Sequence, residues 1–297
     1  MRVTRRVPQP AVALETTLLL HGVPRSSAAD LAARLARTAA EHGANPALTA
    51  LVAGAPTLGL TDDEIRALLH AEHVPKANTA NLGALIQTKQ HAATTVSTTV
   101  EIAAHAGVFL FATGGLGGVH RNYAHHLDVS ADLAALARFP VAVVASGVKS
   151  ILDVAATREA LETLGVPCVG YRCDRFPAFY QRASGAHLDA TFDDPADLAA
   201  YLAAELARTA RGVAVCNPVP AEHEIPAADL APWIERAESE AAEQNITGRD
   251  VTPFVLDRLH TLSEGRTLET NIALVESNVA LAAQLAAAAH RRPERPA

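Results

Sequence analysis

Val141-Ala-Val-Val-Ala-Ser-Gly-Val-Lys-Ser-Ile-Leu-Asp153 reads as an apolar strand that turns at Ser-Gly, presents a lysine, and enters a helix. Working outward, apolar runs of strand length alternate with amphipathic runs of helical length, which is the pattern of a layered α/β fold. The strands are expected at Ala11–Leu20, Leu48–Ala53, Val108–Ala112, Val141–Ser146, Pro167–Tyr171 and Val213–Cys216. Helices are expected at Ser26–Glu41, Thr61–His70, Thr94–His105, Ala131–Arg138, Ile151–Leu164 and Pro195–Arg211. Thr61 and Glu64 have the spacing of a capping box. After Cys216 the alternation stops, and three helical stretches follow at Ala227–Gln244, Thr252–Leu262 and Leu268–Arg291. With no flexible linker or repeat, residues 11–290 read as one domain with a helical C-terminal layer. Residues 1–10 read as a loose arm and 291–297 as a frayed tail.

The 297 residues are 49% hydrophobic and 19% charged, enough for a sizeable core, while 4% aromatics and abundant alanine favour closely packed helices. A formal charge of −7 argues against a nucleic-acid polymer or an anionic membrane as main partner. No stretch approaches the roughly 20 apolar residues of a bilayer span, and no secretory leader is apparent. Cys168, Cys173 and Cys216 form an odd set without metal spacing and read as reduced, buried thiols of a cytoplasmic protein.

Lysine is scarce: Lys76, Lys89 and Lys149 are the only ones among 25 basic residues. A lysine amine can attack a carbonyl and form a Schiff base, which an arginine cannot. On position alone, a solvated turn lysine is an equal reading of Lys149. Phe109-Leu-Phe-Ala-Thr-Gly-Gly-Leu-Gly-Gly-Val-His120 is a strand running into four glycines. Such a turn lets backbone N–H groups approach an anion, and His120 and Arg121 add to that, although the P-loop and dinucleotide spacings are absent. In His125-His-Leu-Asp-Val-Ser-Ala-Asp132, Asp128 could ligate a hard divalent cation. Ser130 and Asp132 suit either a helix cap or a phosphate at a helix start. His125 and His126 read as surface histidines. Glu15, inside an apolar run, is costly to bury unless paired or functional, and desolvation would suit it to proton donation.

Together these segments resemble the pseudouridine-5'-phosphate glycosidase family and its indigoidine-cluster relatives, from about Ala11 to Gln284. The resemblance is carried by Glu15-Thr-Thr with His21-Gly22, Gly59-Leu-Thr-Asp-Asp-Glu-Ile65, Phe111-Ala-Thr-Gly-Gly-Leu-Gly-Gly-Val-His-Arg121 and Asp128-Val-Ser-Ala-Asp132. Ser146-Gly-Val-Lys-Ser-Ile-Leu-Asp153, Phe176-Pro-Ala-Phe179, Asn217-Pro218, Thr252-Pro-Phe254 and Asn271-Ile272 complete it. The resemblance implies a three-layer α/β/α sandwich around a mixed or mostly parallel sheet, a homotrimer, and a divalent metal, commonly Mn²⁺ with Mg²⁺ as the alternative. It further implies reversible cleavage of the carbon–carbon glycosidic bond of pseudouridine 5'-phosphate to ribose 5-phosphate and uracil. Carried over by position, Lys149 is the nucleophile, Glu15 the proton donor and Asp128 the metal residue. Lys76, Val96, Ser130, Ala131 and Asp132 line the substrate site, with His120 and Asn271 beside the sugar and base. Three departures concern the substrate. Lys76-Ala-Asn-Thr-Ala-Asn81 lacks two arginines the family commonly carries, Asn122-Tyr-Ala-His125 replaces smaller and acidic residues, and Val148 replaces an alanine. They leave open a C-glycoside synthase that joins ribose 5-phosphate to another aromatic or heterocyclic aglycone.

Overall fold

The computed structural model describes residues 1–121, 123, 127–246 and 251–291. In chain order the strands are β1 (Thr4–Arg5), β2 (Ala11–Glu15), β3 (Asn45–Val52), β4 (Ala55–Leu58), β5 (Lys76–Ala77), β6 (Ala92–Thr94), β7 (Leu110–Ala112), β8 (Val119–His120), β9 (Ala142–Ala145), β10 (Leu152–Asp153), β11 (Cys168–Tyr171), β12 (Ala190–Phe192) and β13 (Val213–Cys216). The helices are α1 (Arg25–Glu41), α2 (Asp62–His70), α3 (Leu82–Gln87), α4 (Val96–His105), α5 (Ala131–Arg138), α6 (Val154–Thr163), α7 (Pro195–Thr209), α8 (Ala227–Glu243), α9 (Val251–Leu262) and α10 (Arg266–His290).

The main sheet runs β1-β4-β3-β2-β7-β9-β13-β11-β12, with β6 branching from β3 and β5 pairing with β6. From β3 to β12 every neighbouring pair is parallel, whereas β4 and β6 lie antiparallel to β3. Every residue of β7, β9 and β13 is buried, so these strands read as continuous apolar runs, as expected of parallel strands covered on both faces. One covering layer includes α1 and α7, which both pack on α10, and α10 crosses β2, β7 and β9. The pair α4 and α5 packs together, with α4 lying against β2, β3 and β7. The fold is the three-layer α/β/α sandwich, with a helical C-terminal segment.

Local chemistry accounts for several boundaries. The capping box at α2 is formed: Thr61 Oγ1 accepts from the Glu64 N–H, and Glu64 Oε2 accepts from the Thr61 N–H at 2.9 Å. Ser130 and Asp153 cap α5 and α6 by accepting from the N–H groups of Asp132 and Ala156. β2 ends at Glu15, five residues short of the expected Leu20, and Leu18–Gly22 forms a π-type turn. Two hydroxyls break the ladder there: Thr16 donates to the Thr49 carbonyl at 2.9 Å and Thr17 to the Thr94 carbonyl at 2.7 Å. Ile151–Asp153 is not helical as expected, because Leu152 and Asp153 pair antiparallel with His120 and Val119.

Residues 1–10 are no loose arm. Thr4 and Arg5 extend the sheet beside Thr57 and Leu58, Arg6 makes a bidentate pair with Glu64 at 2.6 and 2.9 Å, and Gln9 donates to the Gly107 carbonyl. At the other end, α10 is long and apolar enough by length and composition to cross a bilayer, contrary to the reading that no stretch approaches such a span. Its Leu274, Val275, Val279, Ala282 and Leu285 are instead buried in the packing just described. His125, His126, most of Asn122-Tyr-Ala-His125 and residues 292–297 lie outside the described residues.

Candidate functional site

The chain order fixes where a ligand can enter. From β2 the chain passes through α1 to β3 on one side, and β7 later pairs with the other side of β2. Between β2 and β7 the connections therefore diverge, and in open parallel sheets the crevice beyond the strand C-termini at such a point collects ligands. Glu15 ends β2, Thr113 follows β7 directly, and Lys149 lies in the turn after β9. All three line a cleft of about 550 Å³, with Lys76 from β5 and Asn271 from α10. Leu18, Phe179 and Leu256 supply apolar wall.

Backbone geometry holds the lysine turn rigidly. The Ser146 N–H donates to the Gly114 carbonyl at 2.9 Å, the Leu116 N–H to the Gly147 carbonyl at 2.9 Å, and the Lys149 N–H to the Leu116 carbonyl at 3.1 Å. Thus the glycine-rich turn after β7 and the lysine turn after β9 interlock. Gly147 adopts φ +70°, and a Cβ there would lie 1.8 Å from the Pro177 carbonyl oxygen, so neither conformation nor space admits a side chain.

Glu15 is half-buried and accepts a hydrogen bond from the Thr113 hydroxyl. Burial pushes its carboxyl above the usual carboxylate range, and nearby Asp132 pushes the same way. Lys149, the Thr113 hydroxyl and Lys76 oppose the rise. The outcome is a carboxyl shifted towards its protonated form beside two amines, the direction that suits it to proton donation. Asn271, which lines the same cleft, is only 7% exposed, and its buried Oδ1 finds no hydrogen-bond partner among the described residues.

The other residues singled out from sequence are near neighbours, not cleft wall. Asp132, 5% exposed, accepts from the Ser97 N–H through Oδ1 and from the Gly117 N–H through Oδ2, each at 2.9 Å. Its carboxylate therefore ties the start of α4, where Val96 is the first residue, to the glycine-rich turn. Ser130 caps α5, of which Ala131 is the first residue. A Cβ on Gly117 would lie 2.3 Å from Ser130 Oγ and 2.6 Å from Asp132 Oδ2, which explains a glycine there. His120 is carried by the β8–β10 pair beside the lysine turn, and its Nδ1 lies 3.6 Å from Asp128 Oδ2. No group of three or more His, Cys, Asp or Glu residues suited to a metal occurs among the described residues. The part-exposed Asp128 carboxylate offers one hard oxygen ligand. That donor set fits Mg²⁺ or Mn²⁺, which keep several waters, and does not fit a closed nitrogen–sulfur site.

Sequence reading missed the residues that hold this cleft in shape. Asn278, fully buried on α10, donates from Nδ2 to the Thr113 carbonyl at 2.8 Å and to Ser146 Oγ at 3.2 Å. Its Oδ1 accepts from Asn217 Nδ2 at 2.9 Å. One side chain thus links the turns that present Thr113 and Lys149. An asparagine in the apolar stripe of Val275, Val279 and Ala282 was the available signal. Thr113 lies at the head of the glycine-rich turn, where a hydroxyl carries no distinctive spacing of its own.

Residues 3–288 match the sequence model of the family described as indigoidine synthase A like protein. The chain is 47% identical over 280 residues to a pseudouridine-5'-phosphate glycosidase of Methylobacterium nodulans, covering 94% of this chain and 83% of the relative. It is 45% identical over 281 residues to one of Deinococcus radiodurans, covering 94% and 90%. Among solved structures, an indigoidine synthase A-like protein of Thermotoga maritima superposes with a TM-score of 0.88 at 35% identity, covering 96% of this chain and 95% of that one. The prealnumycin C-glycosynthase AlnA, solved with ribulose 5-phosphate, superposes with a TM-score of 0.88 at 30% identity, covering 97% and 98%. With its motifs, sheet order and full-length likeness in agreement, the chain belongs to the indigoidine synthase A like family.

Proposed function

We propose that this protein is an enzyme that makes and breaks a carbon–carbon glycosidic bond to ribose 5-phosphate, with pseudouridine 5'-phosphate as its substrate and ribose 5-phosphate and uracil as the cleavage products. The observation that carries the reading is the convergence of Lys149, Glu15, Lys76 and Asn271 on one cleft at the strand C-termini, with the Glu15 carboxyl raised by burial.

A C-glycosidic bond offers no oxygen or nitrogen leaving group to protonate, so a pair of carboxylates alone has little purchase on it. In the bond-forming direction, the Lys149 amine adds to C1 of the open-chain aldehyde and water leaves, giving an iminium. The aglycone carbon donates its electron pair to C1 and then loses its ring proton to the Glu15 carboxylate, which restores the acid spent on the departing water. The sugar C4 hydroxyl next displaces the lysine nitrogen and closes the ring. Glu15 carries the protons, giving one to the departing water and later shuttling one from the C4 hydroxyl to the released amine. Cleavage runs the same steps backwards. Lys76 and Asn271, both in the cleft wall, bind substrate.

Asp128 is the proposed ligand of a divalent cation, Mn²⁺ or Mg²⁺, which would offset phosphate charge. His120, Val96, Ser130, Ala131 and Asp132 shape the site around it. A homotrimer and a cytoplasmic setting complete the proposal, the latter supported by three unpaired thiols.

One observation favours a second reading, a synthase for another aromatic or heterocyclic aglycone. Asn78 and Asn81 spend their side chains within their own turn: Asn78 Oδ1 accepts from the Ala80 and Asn81 N–H groups, and Asn81 Nδ2 donates to the Lys76 carbonyl at 3.0 Å. Past Lys76 that segment offers a substrate no cation. Incubation with ribose 5-phosphate, uracil and Mn²⁺ tests the choice. Formation of pseudouridine 5'-phosphate supports the first reading. Its absence, with turnover of other carbon nucleophiles, supports the second.

A further inference from the structure

The π-type turn Leu18–Gly22 places His21 at the cleft, on the side of Lys76. The mechanism above leaves this imidazole unused. Its Nε2 lies 3.0 Å from the Val74 carbonyl oxygen. A carbonyl can only accept, so Nε2 carries the hydrogen, and in the neutral ring Nδ1 keeps a lone pair. No other hydrogen bond of the ring is found among the described residues. Desolvation lowers the ring's pKa, and Lys76, Arg25 and His73 lower it further against the Val74 carbonyl. Nδ1 is therefore an acceptor at neutral pH. The polar groups nearby are differently committed: Glu15 already accepts from Thr113, and Thr17 already donates to Thr94.

We propose that His21 is a substrate-recognition residue whose Nδ1 accepts a hydrogen bond from an uncharged donor of the bound molecule, either a hydroxyl of the opened pentose phosphate or a ring N–H of the aglycone. A phosphate dianion has no hydrogen to give and is not its partner. The inference rests on the reading of the site as one for a pentose phosphate and a carbon-linked aglycone.

His21→Gln separates the two ring nitrogens. Its amide NH₂ reaches the place of Nε2 and still donates to Val74, but nothing replaces Nδ1. His21→Asn does the reverse, keeping a polar atom near Nδ1 and giving up the tie to Val74. Two assays distinguish the donors: borohydride trapping with ribose 5-phosphate alone, and turnover with ribose 5-phosphate plus uracil. His21→Gln is expected to melt with the wild type and to react on the order of tenfold more slowly, because a bound donor is left unpaired. A loss in both assays identifies a sugar hydroxyl; a loss only with uracil identifies the aglycone N–H. His21→Asn is expected to retain more activity than His21→Gln. Wild-type rates for His21→Gln in both assays would overturn the inference, as would a rate loss matched by a fall in melting temperature. If the wild-type protein neither traps nor turns over, the functional reading fails by itself. Calorimetric titration with ribose 5-phosphate and with uracil then decides on His21: tenfold weaker binding of either by His21→Gln upholds its role, and unchanged binding of both rejects it.

Discussion

Replacing Asn278 by alanine should cost far more than one polar side chain normally does. In the folded protein Asn278 satisfies the Thr113 carbonyl at 2.8 Å, Ser146 Oγ at 3.2 Å and Asn217 Nδ2 at 2.9 Å, all out of reach of solvent at a fully buried position. Asn217 keeps a second acceptor, Ser277 Oγ at 3.0 Å, so the unmet need falls chiefly on the Thr113 carbonyl. An orphaned buried carbonyl costs about 1–3 kcal/mol, and the vacated volume adds to it. A total near 3 kcal/mol corresponds to a fall of roughly 5 °C in melting temperature for a domain of this size, readable by calorimetry. Asn278→Asp tests whether hydrogen bonding is the cause. The variant keeps the shape but turns a carboxylate oxygen towards two carbonyls, those of Thr113 and Gly114. Its carboxyl must keep a proton to fit, so its folded pKa is raised. The folded state then binds more protons than the unfolded one, and stability falls as pH rises past about 4. Asn278→Asp should therefore melt well below the wild type at pH 8 and recover towards pH 4. A variant that melts within about 1 °C of the wild type at pH 8 would refute the view of Asn278 as the clamp between the two turns.

Glu15→Gln should stabilise the protein while crippling it. Because burial raises the Glu15 carboxyl, the charged form costs stability once pH exceeds its unfolded value of about 4.3, so the gain should appear above that pH and vanish below it. Turnover of the variant should drop on the order of 10²- to 10⁴-fold; near-normal turnover would remove Glu15 from the chemistry. Gly147→Ala, with a Cβ 1.8 Å from the Pro177 carbonyl, should lower both melting temperature and Lys149 reactivity, and an unchanged melting curve would contradict the geometry. Asp128→Asn should weaken binding of Mn²⁺, followed by titration calorimetry, on the order of tenfold or more; unchanged affinity would move the metal elsewhere.

The layered architecture was readable because parallel strands buried on both faces, such as Val141–Ser146 and Val213–Cys216, leave continuous apolar runs that few other structures produce. Short pairings escaped notice. β5, β8 and β10 are two residues long, and their existence depends on which distant segment lies alongside. The site was legible where chemistry demanded a rare residue: a lysine in an arginine-rich chain, and a glutamate in an apolar run. It was illegible where the demand comes from tertiary contact. Asn278 serves carbonyls 164 and 165 positions away, and nothing local reveals that the Asp132 oxygens hold the Ser97 and Gly117 N–H groups. The arm at residues 1–10 lacks apolar periodicity, yet the Arg6–Glu64 pair and the β1–β4 ladder hold it.

The most direct test of the covalent mechanism is borohydride reduction in the presence of ribose 5-phosphate, followed by peptide mass mapping. A reduced pentose-phosphate adduct on Lys149, lost in Lys149→Arg, is the predicted result. Adduct on Lys76 or Lys89 alone, or none on a protein that still turns over, would contradict it.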